Sequence, residues 1–328
     1  MKRARLAAVG GLIVMSLLPG AGSAMAQATD AAQPATQDAH STFRSSVDVV
    51  SISAVVKDRK GRFVPNMGRT DFIVAESGQT RPILDFRAEA DGPVKVAVLF
   101  DISGSMRVGS KAVDARQAAR HILGALRPMD EAAVFSFDTR LDRVTGFTSD
   151  QRVLENALDH VEAPFGQTSM YDAVAETARV VATAGSGGGR LPQRSAVIVL
   201  TDGIDTRSRL TPEQVAAISS GIDVPVYILA VMSPIDDTRE DGHGQAPGPL
   251  SNLARWTGGE YFPVSAPAHA SAAARQIVDE LRHQYVLAFE ASTRPGWRPL
   301  EVRTRDRDLV VRARAGYTVA GPVGEAER

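Results

Sequence analysis

The spacing of apolar residues changes character twice along the chain. In "SVDVVSISAVVKD" it alternates, with Val50, Ile52, Ala54 and Val56 on one face, as in a half-buried strand. "DRKGR" marks a turn around Gly61, and "DFIVAESGQTRPILDF" predicts two short strands about a turn at Gly78. No helical period occurs in this first part. From Val94 onward, continuous apolar runs alternate with helical periods. "KVAVLF", "AAVFSF", "SAVIVL" and "VPVYILAV" read as buried strands, with "RVTGF" as a further one. Between them, residues 111–126 place Ala115, Ala118, Ile122 and Leu126 at helical spacing. "SDQRVLENALDHV" predicts a helix capped by Ser149, with Val153, Leu154, Ala157, Leu158 and Val161 on one face. "SMYDAVAETARVVATA" gives another amphipathic helix. "TPEQVAAISSG" gives a helix with Thr211 as cap, Pro212 in the first turn and Gly221 as stop. "LSNLARWTGGEYFPV" predicts a short helix, a glycine turn and a strand, and "AHASAAARQIVDELR" the last helix. Strand texture then returns in "QYVLAFEAS", "RPLEVRTR" and "DLVVRARAGY".

Repeated strand–helix units of this length predict an α/β fold: a Rossmann-like, mostly parallel sheet with helices on both faces. The flanking strand segments are each too short to make a comfortable domain alone. They are expected to pair into one small β-sandwich into which the α/β domain is inserted. The expected organisation is a sandwich formed by 43–92 and 284–320, an inserted domain at 93–283 and a tail at 321–328.

Ahead of the fold, "MKRAR" is basic, "LAAVGGLIVMSLL" is an apolar run short for a membrane span, and Ala24-Met25-Ala26 is a small-x-small cleavage pattern. Residues 1–26 are therefore expected to be a cleaved signal peptide and 27–42 a flexible leader, making the protein exported, periplasmic or secreted. No later stretch is apolar enough to cross a membrane, so the mature chain is expected to be soluble. The 328 residues carry a formal net charge of −1, which gives no bias toward nucleic acid or an anionic membrane. The absence of cysteine excludes disulfides, thiolate metal sites and a cysteine nucleophile.

In open α/β sheets ligands collect at the C-terminal ends of the strands. Three loops expected on that rim are rich in oxygen: "DISGSM" after "KVAVLF", "GQTSMYD" before a helix, and "LTDGID" at the end of "SAVIVL". Together they offer Asp101, Ser103, Ser105, Thr168 and Asp202, with no imidazole or thiolate among them. Such hard donors suit Mg²⁺, Ca²⁺ or Mn²⁺ and suit Zn²⁺ or copper poorly. Asp101 and Ser103 also fit a plain helix-capping role. Gly104 and Gly203 fit either a tight metal loop or ordinary turns. Asp172 and Asp205 read as helix-start or supporting acceptors, and Asp138 as structural.

"DISGSM", "GQTSMYDA" and "LTDGID", in this order, resemble the von Willebrand factor type A domain and its metal-ion-dependent adhesion site. The resemblance spans about residues 93–283, and the flanks resemble exported bacterial proteins that carry a type-A-related domain. It implies a metal held by Asp101, Ser103, Ser105, Thr168 and Asp202, with Mg²⁺ the first expectation. Two carboxylates balance a divalent ion and hydroxyls add no charge, so such an ion keeps coordination capacity for one more carboxylate. The implied partner is a protein ligand presenting an exposed Asp or Glu.

Other readings compete. "VLFDISGS" resembles the opening of haloacid-dehalogenase phosphatases, but Ser103 stands where those enzymes need a second Asp. A serine hydrolase would need Gly-x-Ser-x-Gly, and Asp101 breaks that pattern. A Mg²⁺-dependent hydrolase using the same rim residues is the catalytic alternative, and a structural envelope protein with a vestigial site is the non-catalytic one. "RTRDRDLVVRAR" alternates Arg with Asp and apolar residues, which fits an exposed strand face better than nucleic-acid binding. "EDGHG", with His243, and the surrounding 233–248 stretch are expected to be a solvated, disordered insertion. Oligomeric state has no sequence signature here.

Overall fold

The structure is a computed structural model, and it describes residues 49–88, 92–185, 194–232 and 248–319. The expected signal peptide, leader, insertion loop with His243, and tail all lie outside the described residues, apart from Gly248.

The inserted part is built on a six-stranded sheet in the order β10-β9-β8-β5-β6-β7. Its strands are β5 (Val94–Asp101), β6 (Glu131–Phe137), β7 (Leu141–Thr148), β8 (Arg194–Thr201), β9 (Val226–Val231) and β10 (Tyr261–Val264). All pairings are parallel except that of β7 with β6. Every residue of β5 and of β8 is buried, which is why both read as continuous apolar runs. Alternate residues face opposite layers. Val94, Val96, Val98 and Phe100 pack with α1 (Lys111–Gly124), α2 (Gln151–Asp159) and α6 (Pro267–Arg282). Ala97 and Leu99 pack with α3 (Met170–Gly185), α4 (Pro212–Gly221) and α5 (Pro249–Thr257). The helices therefore cover both faces, as the sequence predicts. The strand order reverses at β5, where β8 lies on one side and β6 on the other, so β5 ends at the topological switch point.

The flanking segments form two four-stranded antiparallel sheets. One holds β1 (Val49–Lys57), β4 (Ile83–Arg87), β11 (Tyr285–Glu290) and β13 (Val310–Ala313). The other holds β2 (Phe72–Glu76), β3 (Gln79–Arg81), β12 (Gly296–Thr304) and β14 (Gly316–Val319). Strands from before and after the α/β part pair directly: Ile52 lies opposite Leu287, and Val74 opposite Val302. Ile52, Val74, Leu287, Phe289, Leu300 and Tyr317 close a shared core between the sheets.

Local details differ from the sequence reading. "DFIVAESGQTRPILDF" makes three strands. Ser77 and Gly78 turn β2 into β3 with positive φ of 49° and 81°, and β4 resumes after Pro82 in the other sheet, since proline cannot donate to a ladder. "DLVVRARAGY" likewise divides into β13 and β14, one strand for each sheet. The cap of α2 is Asp150, whose carboxylate accepts from the N–H groups of Arg152 and Val153. Ser149 precedes it, and Val153 points outward, 41% exposed. Thr211 caps α4 as expected and forms a reciprocal capping box with Gln214.

Buried ion pairs join the antiparallel sheets to the α/β part. Glu280 of α6 is fully buried and receives Lys57 of β1 at 2.6 Å and Arg312 of β13. Arg312 also pairs with Glu260, and Ser53 of β1 donates to Asp223 at 3.0 Å. Among the described residues no helix is long and apolar enough to cross a membrane.

Candidate metal centre

Asp101 ends β5 and is 2% exposed. Its Oδ1 accepts from the backbone N–H of Ser103 at 2.8 Å, and its Oδ2 accepts from the hydroxyl of Thr201 at 2.6 Å. Burial pushes its carboxyl up to about 6; the hydrogen bonds from Ser103 and Thr201 pull the other way, and nearby Asp202 adds to the rise. A buried carboxylate displaced upward in this way is costly to keep charged without a compensating cation.

The hydroxyls of Ser103 and Ser105 lie 3.1 Å apart, and Ser105 donates in turn to Asp202 Oδ1 at 3.1 Å. The structure thus links Ser103, Ser105 and Asp202 into one row of oxygens, with Asp101 at its head through the Ser103 N–H. The loop before α3, which carries Thr168, is fastened to the first by backbone bonds: Phe165 N–H to Ile102 O at 2.7 Å, and Gly104 N–H to Gly166 O at 2.8 Å. It is fastened to the loop after β8 by Thr206 and Arg207 N–H groups donating to Thr168 O at 3.1 and 2.8 Å. Thr168 is 2% exposed, yet its hydroxyl finds no hydrogen-bond partner among the described residues. An orphaned buried hydroxyl costs free energy unless something outside the chain satisfies it.

The two glycines play different parts. Gly203 has φ of +85°, the left-handed conformation that favours glycine. Gly104 has no such φ; a Cβ there would come within 3.0 Å of Gly166 O, so the close approach of two loops is what needs it. Asp205 accepts from Met170 N–H at 2.8 Å at the start of α3, and Asp172 accepts from the N–H groups of Arg209 and Leu210. Both are supporting acceptors. Asp138 holds its own turn by accepting from Arg140 N–H at 2.8 Å.

Two participants are absent from the sequence reading. Thr201, the last residue of β8, orients Asp101. Lys111, the first residue of α1, places its Nζ 3.0 Å from Asp202 Oδ2, and both side chains are buried. A lysine in the first turn opposes the helix dipole, and that mismatch is the sequence signal that could have singled it out. Among the described residues no cluster of three or more His, Cys, Asp or Glu side chains forms a metal site. An ion here would rest on two carboxylates and on hydroxyls, a donor set for a hard cation. The rim also carries Phe165, which is 75% exposed beside the Asp101–Ser105 loop.

Residues 96–204 match the family model of the von Willebrand factor type A domain. That stretch runs from β5 past Asp202, so it takes in Asp101, Ser103, Ser105, Thr168 and Asp202. Among solved structures, the chain is similar to the conserved hypothetical protein BatB from Bacteroides thetaiotaomicron, at 20% identity, TM-score 0.46, covering 57% of this chain and 98% of that one. It is similar to proximal thread matrix protein 1 of the mussel byssus with a zinc-occupied MIDAS motif, at 20% identity, TM-score 0.46, covering 63% and 49%. It is also similar to a von Willebrand factor type A protein from Catenulispora acidiphila, at 15% identity, TM-score 0.46, covering 84% and 76%. No curated protein matches the chain.

Proposed function

We propose that this protein is an exported binding module whose type A segment holds a divalent cation at the sheet rim and uses it to capture a carboxylate on a partner protein. Asp101, Ser103, Ser105, Thr168 and Asp202 would hold the ion. Mg²⁺ is the first choice for this donor set, with Ca²⁺ or Mn²⁺ as the other fits. When bound, the ion supplies an open coordination position that one more carboxylate can fill.

The observation that carries the reading is the Thr168 hydroxyl. It is buried, without a partner among the described residues, in a loop that backbone bonds tie to both carboxylate-bearing loops. A hydrolase is the weaker reading, because the groups bonded to Asp101 and Asp202 are hydroxyls, N–H groups and an ammonium. None of these is a general base for activating water.

The test is capture from envelope extract by the full chain in Mg²⁺ and in EDTA, wild type beside Asp101→Asn. Mg²⁺-dependent capture that the variant loses supports the reading; capture unaffected by chelator and by the substitution overturns it.

A further inference from the structure

We propose that the antiparallel part of the chain carries an anion site, a cavity walled by Arg69, Arg81 and Arg305 that takes a phosphate group. It shares no residue with the rim and does not rest on the metal-binding reading.

The cavity has a volume of about 330 Å³. It opens where the chain crosses from one antiparallel sheet to the other: β3 ends at Arg81, and β4 begins at Ile83 in the second sheet. Strand register gathers the arginines. β3 runs beside β2 with Arg81 level with Val74, and β12 runs along the other side with Thr304 level with Phe72. Arg81 and Arg305 thus reach the start of β2 from its two neighbours, and Arg69 stands in the short helical turn that leads into it.

Two of the guanidiniums are held in place. Arg305 Nε donates to Thr70 O at 2.7 Å, and its backbone N–H donates to Asp71 O at 2.9 Å. Arg81 Nε donates to Oε2 of the buried Glu76 at 2.9 Å. The Arg69 side chain has no hydrogen-bond or ion-pair partner among the described residues. Thr70 and Thr80 add hydroxyls to the wall, Pro82 and Ile83 add an apolar part, and no carboxylate lines it. Asp71 turns its carboxylate to the Gly68 N–H at 2.7 Å.

The wall decides the class of ligand. A guanidinium keeps its charge at every accessible pH and presents its N–H groups as a planar fork that matches phosphate or carboxylate oxygens. Glu76 balances Arg81, which leaves Arg69 and Arg305 without a carboxylate partner among the described residues. That charge suits a phosphate monoester, which carries about −1.5 to −2 at neutral pH, better than a singly charged carboxylate. The apolar wall leaves room for the organic group that such an ester carries.

Calorimetric titration of inorganic phosphate into the full chain tests this, at constant ionic strength and in metal-free buffer so that the rim takes no part. Wild type is set beside Arg69→Gln, Arg305→Gln and Arg307→Gln; Gln removes the charge and keeps a donor. Arg307 is exposed and does not line the cavity, so its variant reports the loss of surface charge alone. Circular dichroism confirms that each variant is folded. The expected result is phosphate affinity lowered about tenfold by Arg69→Gln and by Arg305→Gln, the loss of one charge-assisted hydrogen bond, and unchanged by Arg307→Gln. Acetate should bind more weakly than phosphate. Co-sedimentation with phosphatidylcholine vesicles, with and without phosphatidic acid, separates the sources of the phosphate. Sedimentation that needs phosphatidic acid and is lost in Arg69→Gln supports the proposal and assigns the group to a lipid headgroup. Phosphate binding without sedimentation supports it and assigns the group to a free phosphoester. Absence of phosphate binding by wild type, equal weakening by Arg307→Gln, or acetate binding as tightly as phosphate overturns it. If Arg305→Gln does not fold, Arg69→Gln decides, because the side chain it replaces has no partner to lose.

Discussion

Ser105 donates its hydroxyl to Asp202 Oδ1 across 3.1 Å, although 97 positions separate the two residues. The contact follows from strand register. β5 and β8 are parallel neighbours with Phe100 level with Leu200, so the loops that leave them start side by side. Each brings a carboxylate, Asp101 and Asp202, to the same end of the sheet, and the Thr201 hydroxyl locks the first in place.

Thr168→Val separates binding from stability. The hydroxyl it removes has no partner among the described residues, and exchanging an unsatisfied buried hydroxyl for a methyl is neutral or stabilising. The variant should melt at or above the wild-type temperature without metal, and bind Mg²⁺ at least about tenfold more weakly, a loss of one good interaction. Differential scanning calorimetry and metal titration check the two halves.

Asp101→Asn should behave similarly for a different reason. Burial, opposed by the Ser103 and Thr201 hydrogen bonds, pushes the wild-type carboxyl up to about 6, so its ionised form costs the metal-free protein stability at neutral pH. Neutralising it should leave the fold as stable as wild type in EDTA, or more stable by about 1–3 kcal/mol, while Mg²⁺ binding disappears. Denaturant melts in EDTA and in Mg²⁺ measure both effects, and only wild type should gain from the ion.

Glu280→Gln tests the joint between the antiparallel sheets and the α/β part. The fully buried carboxylate receives Lys57, Arg312 and Gln276. Removing its charge takes from Lys57 its carboxylate and leaves Arg312 with Glu260 alone, and should cost about 3–5 kcal/mol, read as a lower urea midpoint. Mg²⁺ affinity of the folded protein should stay unchanged, because the rim is built from other residues.

Acid should weaken the antiparallel core through Glu76. Burial alone would raise its carboxyl, but hydrogen bonds from Tyr317, Arg81 and Ser292 outweigh that and hold it below its ordinary 4.5. A depressed folded-state value means the unfolded chain binds the proton more readily. The stability contributed is therefore complete well above pH 4.5 and is lost as pH falls through and below that value. Tyr317→Phe removes one of those donors, so it should cost about 1 kcal/mol near neutral pH and flatten the acid limb of a melting-temperature profile.

Strand and helix order, the parallel sheet and the pairing of the two flanks were legible because apolar period and length carry them. Splitting of the second and last strand runs was not: the pattern marks a strand, and only tertiary pairing decides which sheet takes each half. Asp150 displaced Ser149 as cap since either side chain can accept from the same N–H groups, and chain entry chose between them. At the rim, the motif singled out Asp101, Ser103, Ser105, Thr168 and Asp202; hydrogen bonds join the first three and Asp202 into one row, and the Thr168 hydroxyl stands apart from it. Lys111 was hidden by its place in an otherwise ordinary helix, where its burial depends on a loop far along the sequence.

The central claim is that the rim loops hold a divalent ion. The most direct measurement is calorimetric titration of Mg²⁺ into metal-stripped full chain, wild type beside Asp101→Asn and Thr168→Val, with acetate present to satisfy the open position. The account predicts one ion per chain for wild type, weaker uptake for Thr168→Val and none for Asp101→Asn, all three folded. Absence of uptake by wild type, or equal uptake by Asp101→Asn, would contradict it.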